Sequence, residues 1–155
     1  QTSLSTQSLQ TIINLADGNL TRVVNYSLNP EFLQTYKDTL FTLSNLKDSK
    51  QLLMYSIKFN KAKKTFEYFL EILETIFHDC LLIRLNKQNL VNNSQSLTEL
   101  KTYSEMLDAD SLYKLIKKIY EIKKQLEFNC NFVLLVDNFL LYYLEVKFLC
   151  NKKYQ

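Results

Sequence analysis

The chain has 155 residues, enough for one domain with a sizeable core, and it carries a single glycine and a single proline. Sheets and hairpins draw on turn glycines and prolines, so this composition points to helices and rules out a glycine-rich phosphate loop. A formal net charge of +3, with lysines interspersed among acids and arginine only at Arg22 and Arg84, falls short of a nucleic-acid footprint. Contact with nucleic acid by this domain is therefore not expected.

The first helical pattern runs from Ser8 to Ala16 with Leu9, Ile12, Ile13 and Ala16 at helical spacing, and Asp17-Gly18-Asn19 closes it. A second spans Leu20 to Leu28. Asn29-Pro30-Glu31 then supplies an N-cap, a proline at the first helical position and a first-turn acid, so a third helix starts at Pro30. It bears Phe32, Leu33, Tyr36, Leu40, Leu43 and Leu46 before the polar stretch Ser44 to Lys50. Asp48 or Ser49 caps a fourth, with Leu52, Leu53, Tyr55, Ile57 and Phe59 apolar. Asn60 is read as the cap of a long fifth helix reaching Asn86, about 38 Å for some 25 residues. Its buried arc holds Phe66, Phe69, Leu70, Leu73, Ile76, Phe77, Cys80 and Leu81.

Asn86 to Ser96 is rich in Asn, Gln and Ser and reads as a surface loop. Ser96 and Glu99 form a capping-box pair for a sixth helix ending near Leu107. Asp108 or Asp110 caps a seventh, with Leu112, Leu115, Ile116, Ile119, Tyr120, Ile122 and Leu126 apolar. It stops at Phe128-Asn129, where Asn129 and Asn131 offer amides to the free donors of an eighth helix. The expectation is an all-α fold, a single bundle of about seven to eight helices. Residues 1–14 read as the end of an upstream linker or a first short helix, and 15–155 as the helical domain.

Catalytic chemistry has little to stand on. His78 neighbours Asp79 and Cys80 in mid-helix, and consecutive helical residues point about 100° apart, so they cannot relay protons among themselves. Cys80, Cys130 and Cys150 are odd in number, widely spaced and set among apolar neighbours. They read as small buried hydrophobes in a reducing compartment, without metal-ligand spacing. No catalytic residue, cofactor site or metal site is assigned. The apolar run Phe132 to Leu144 is broken by Asp137-Asn138, and no signal core precedes the helices, so a soluble, cytoplasmic protein is expected. A start at Gln1 suggests a fragment of something longer.

The eighth helix is the informative one. At 100° per residue Asn131, Asp137, Asn138 and Glu145 fall within about 120°, while Phe132, Leu135, Val136, Phe139, Leu140, Tyr142, Tyr143, Leu144 and Val146 fill the rest. That apolar arc is about 100° wider than a surface helix needs. The excess is covered either by a central place in the bundle or by a partner.

From Leu15 onward the chain resembles the C-terminal helical domain of the delta-prime subunit of the bacterial DNA polymerase III clamp loader. Three segments carry the resemblance, in order and spacing. Leu15-Ala16-Asp17-Gly18-Asn19-Leu20-Thr21-Arg22 is similar to the family's hinge out of its ATPase-like module. Phe77-His78-Asp79-Cys80-Leu81-Leu82 is similar to its long-helix segment, with His78 where an arginine is usual. Leu126-Glu127-Phe128-Asn129-Cys130-Asn131, followed by Leu134, Leu135, Asp137, Asn138, Leu140 and Leu141, resembles its ending. The resemblance implies a non-catalytic collar domain that holds delta, delta-prime and tau or gamma subunits in a ring while AAA+ modules load the sliding clamp onto primed DNA. The partners implied are the tau or gamma and delta subunits. Tyr120, Phe139, Tyr142, Tyr143 and Val146 are the expected contacts with neighbouring collar domains. The tau or gamma collar domain and a generic helical adaptor remain as alternatives.

Overall fold

The computed structural model describes residues 5–92, 97–128 and 130–153, with side chains to Cys150. Among these residues the fold is all-helical: α1 (Thr6–Leu15), α2 (Leu20–Leu28), α3 (Pro30–Asn45), α4 (Ser49–Phe59), α5 (Lys63–Arg84), α6 (Leu97–Met106), α7 (Ala109–Glu127) and α8 (Phe132–Lys153). A short 3-10 turn, Gln88–Leu90, bridges α5 and α6.

Short polar side chains set most of the helix starts. Ser5, Asn19, Asn29, Asp48 and Asp108 each accept a backbone N–H from the first turn of α1, α2, α3, α4 and α7. Asn131 takes the amide of Val133 at 3.1 Å to open α8. Expected caps at Asn129 and Ser96, and hence the Ser96–Glu99 capping box, lie outside the described residues. α1 closes at Asp17 and Gly18, both left-handed at φ 49° and 72°. It straddles residue 14 and buries Ile12, Leu15 and Ala16 in the same core as the later helices.

One start is corrected. Asn60 does not cap α5; it is the C-cap of α4, its N–H on the carbonyl of Ser56 and its amide donating to the Ser56 hydroxyl. α5 begins instead after Ala62, which offers no side-chain cap. Lys63 donates to the Leu126 carbonyl at 2.9 Å. That contact ties the start of α5 to the end of α7.

α5 is the hub. Its 22 residues span about 33 Å, and Tyr68, Ile72, Phe69, Leu73, Phe77 and Leu70 are buried over roughly 200° of its circumference. α3, α6 and α7 pack along it, and α4 touches its start. On α3 the buried face includes Thr35, Thr39 and Thr42 beside Phe32 and Leu43, whereas Leu33, Tyr36 and Leu40 are only partly covered. Each threonine hydroxyl donates to the carbonyl four residues earlier, at 2.7–2.8 Å. Their polar groups are thereby satisfied inside the helix, and their small size suits a buried helix contact.

α8 packs on α4, α7 and, less, on α6. Lys147 near its end reaches the carbonyl of Leu46, and Asp137 near its start accepts the hydroxyl of Ser56. Those two ties run α4 and α8 antiparallel. Phe139 meets Phe69 edge-on at 5.8 Å, and Tyr143 stacks on Phe77 at 6.3 Å, so α8 closes the core over α5.

Candidate interaction surface

The over-wide apolar arc of α8 is mostly consumed by this chain's own core. Val136, Phe139, Leu140, Tyr143, Leu144, Val146 and Cys150 are buried, an arc of about 160°. The expected contact set is therefore corrected for three members. Phe139, Tyr143 and Val146 are buried in the chain's own core, 1%, 3% and 6% exposed, and leave little side-chain surface for a neighbour. The Tyr143 ring is enclosed and its hydroxyl donates to the Leu43 carbonyl at 3.2 Å; burial pushes its pKa up. Tyr142 is half-buried, with the Lys118 ammonium 5.3 Å from its ring centroid. Tyr120 is exposed on α7, its hydroxyl engaged by Glu74.

What faces outward on α8 is the arc that holds Asn138 and Glu145, and it is not purely polar. Leu134, Leu141 and Phe148 lie at seven-residue intervals inside it, 63%, 48% and 52% exposed, with Leu149 beside them. Successive members of a seven-residue series drift only about 20° on a helix, so the three form one outward stripe. The sequence holds this signal plainly, but Asn131, Asp137, Asn138 and Glu145 draw the eye to the same arc and hide it. The antiparallel neighbour α4 adds Leu53, Met54 and Ile57, all exposed.

A second apolar stripe lies across the domain. Leu20, Val24 and Leu28, four residues apart on α2, are exposed. α2 is held by Tyr26, which stacks on Phe32 and donates its hydroxyl to Glu71 at 2.6 Å. Glu71 sits on the side of α5 opposite Phe69 and Phe77, so α2 and α8 flank the hub from opposite sides. The domain thus offers two unlike apolar faces.

The polar cleft beside α5 is largely internally bonded. His78 is exposed on a cleft of about 310 Å³ with Arg22, Glu74, Asp79 and Tyr120. Glu74 is bonded to Lys123. Burial raises its pKa, but the Lys123 and Tyr120 hydrogen bonds outweigh that and hold the carboxyl below its usual range. Asp79 accepts the backbone N–H of Asn92 at 3.0 Å. Among the described residues no group of His, Cys, Asp and Glu is placed to hold a metal ion, and no helix is long and apolar enough to cross a membrane.

The cysteines divide. Cys80 and Cys150 are buried free thiols, whereas Cys130 is exposed at the α7–α8 junction, against the expectation that all three are buried. The junction holds Phe128 outward too, so apolar sequence neighbours there do not amount to cover.

Residues 30–144, from the first residue of α3 to the middle of α8, match the family described as DNA polymerase III, delta subunit, C terminal. The chain belongs to this family. It is a clamp-loader family, and the matched span takes in the α5 hub, Leu134 and Leu141, and leaves out α1 and α2. Neither the curated proteins nor the solved structures compared with the chain give a match.

Proposed function

We propose that this domain is the collar of a delta-prime clamp-loader subunit, working by oligomerisation and without chemistry of its own. The observation that carries the reading is the outward stripe Leu134, Leu141 and Phe148 on α8, with Leu53 and Ile57 on the adjoining α4. Exposed apolar surface of this kind marks an interaction site. A ring subunit meets two neighbours through two different surfaces, and α8 with α4 on one side and α2 on the other supply them. Membership of a clamp-loader family supports clamp-loader subunits as the neighbours; tau or gamma and delta as the specific ones follow from the sequence resemblance alone. The delta-prime assignment draws on the hinge, long-helix and ending segments of the sequence, and a cytoplasmic site goes with a replication role.

The test is co-elution of the domain with tau or gamma and delta from the same source, read by size exclusion with light scattering. A stoichiometric complex is expected, and Leu134→Ser with Leu141→Ser should abolish it. Both positions are exposed, so the variant should keep its helicity and melting temperature. A variant that still assembles like the wild type would sink the α8 interface. Upstream sequence separates the rival collar: an intact G-x-x-x-x-G-K-[ST] loop there would favour tau or gamma.

A further inference from the structure

Where the end of α3, α6 and the last third of α8 meet, the surface opens into a groove of about 370 Å³. Met106, Leu144 and Phe148 give it apolar walls, and Ser44, Lys47 and Lys147 its polar ones. Lys147 is held inward. Its ammonium donates to the carbonyls of Leu43 and Leu46 at 3.3 and 3.0 Å and stands 5.7 Å from the Tyr143 ring centroid. Carbonyl dipoles and a ring face soften a buried cation, but they carry no net charge to balance it.

Among the described residues neither Lys47 nor Lys147 has a carboxylate within ion-pair distance, and no acid lines the groove. Burial and the neighbouring Lys47 charge both push the Lys147 pKa down. Two ammonium groups thus repel across a groove whose floor is apolar. Two other partly buried ammoniums are paired with acids, Lys123 with Glu74 and Lys58 with Asp38, while Lys118 stands over the Tyr142 ring at the surface.

We propose that this groove binds a segment of a partner protein that presents a carboxylate directly beside a large apolar side chain. The carboxylate bridges Lys47 and Lys147, and the apolar side chain lies on Met106, Leu144 and Phe148. The volume suits one or two side chains. A phosphate ligand is disfavoured because the groove offers no guanidinium fork. The inference stands on the groove alone and holds whether or not the collar reading does.

The experiment is selection of a displayed random dodecapeptide library on the folded domain, with counter-selection on Lys47→Glu. Lys47 is exposed; its groove shares Phe148 with the outward stripe of α8 but neither Leu134 nor Leu141, and its reversal leaves the α3 carbonyls capped by Lys147. Enriched peptides should carry Asp or Glu next to Leu, Ile, Phe or Met. In fluorescence polarisation the best such peptide should bind the wild type at least about tenfold more tightly than its Asn or Gln counterpart, the size of one charge-assisted hydrogen bond. Lys47→Glu should erase that preference, and Met106→Ser should weaken binding of both peptides. No enrichment, enrichment of apolar peptides without an acid, or equal binding by Lys47→Glu would each overturn the proposal. Circular dichroism of both variants keeps a folding defect from passing as a loss of binding.

Discussion

Ser56 on α4 donates its hydroxyl to the carboxylate of Asp137 on α8, joining helices 81 positions apart in sequence. Ser56 is buried and Asp137 half-buried, so the bond forms where water competes poorly. Ser56→Ala should cost about 1–2 kcal/mol, the range for a hydrogen bond to a charged group discounted for the partial exposure of Asp137. The urea midpoint with an unchanged slope is the measure. A loss near zero would mean that water replaces the hydroxyl at no cost.

Adjacent tyrosines on α8 should answer very differently to truncation. Tyr143→Ala removes a ring enclosed against Phe77 and should cost about 3–5 kcal/mol, as large core truncations do. Tyr142→Ala, at a half-covered site, should cost about 1 kcal/mol. Thermal melts of the two variants decide it; similar losses would mean that the α8 register is not the one described.

The Glu74–Lys123 pair predicts a pH dependence of known sign. The folded-state pKa of Glu74 lies below its ordinary value of 4.5, so in that window the unfolded chain binds more protons. The stabilisation is then complete above the ordinary value and is lost as the pH falls through the folded one. Comparing wild type with Glu74→Gln isolates this from the other carboxylates. Their difference in urea midpoint should hold steady above pH 4.5 and shrink below it. A difference that does not change with pH down to the acid transition would refute the pairing.

Thiol labelling should discriminate the cysteines. Cys130 is exposed, while burial first, then the Asp79 charge, pushes the Cys80 thiol up to about 12. Under native conditions a maleimide should modify Cys130 and leave Cys80 and Cys150 until the fold opens. Mass spectrometry of the digested adduct reads this. Early labelling of Cys80 would mean that α5 is not the sealed hub.

The helix count and most helix starts were legible because capping side chains and apolar spacing are local signals. Asn29 and Asp48 act as the N-caps their sequence positions suggest, whereas Asn19, read as part of the α1 ending, also caps α2. Asn60 misled because a short amide serves a helix end as readily as a start, and Ala62 carries no polar signal at all. The α3 core face was misjudged for a related reason. Threonine counts as polar by composition, yet Thr35, Thr39 and Thr42 satisfy their own hydroxyls and so bury. On α8 the width of the apolar arc was readable, but not its division between core and surface. That division depends on how far α4, α6 and α7 wrap around it, which only the packing determines.

The position of α8 has a consequence for synthesis. Phe139 and Tyr143 complete the shell around Phe69 and Phe77, so until residues 132–150 leave the ribosome the emerging chain holds an open aromatic trough along α5. Helices α3, α5 and α7 can pair before then, but the sealed core cannot exist. A nascent chain halted with Asn131 as the last residue outside the ribosome should therefore be caught by chaperones and cut by protease along α5, and gain resistance to both only after some twenty further residues have emerged.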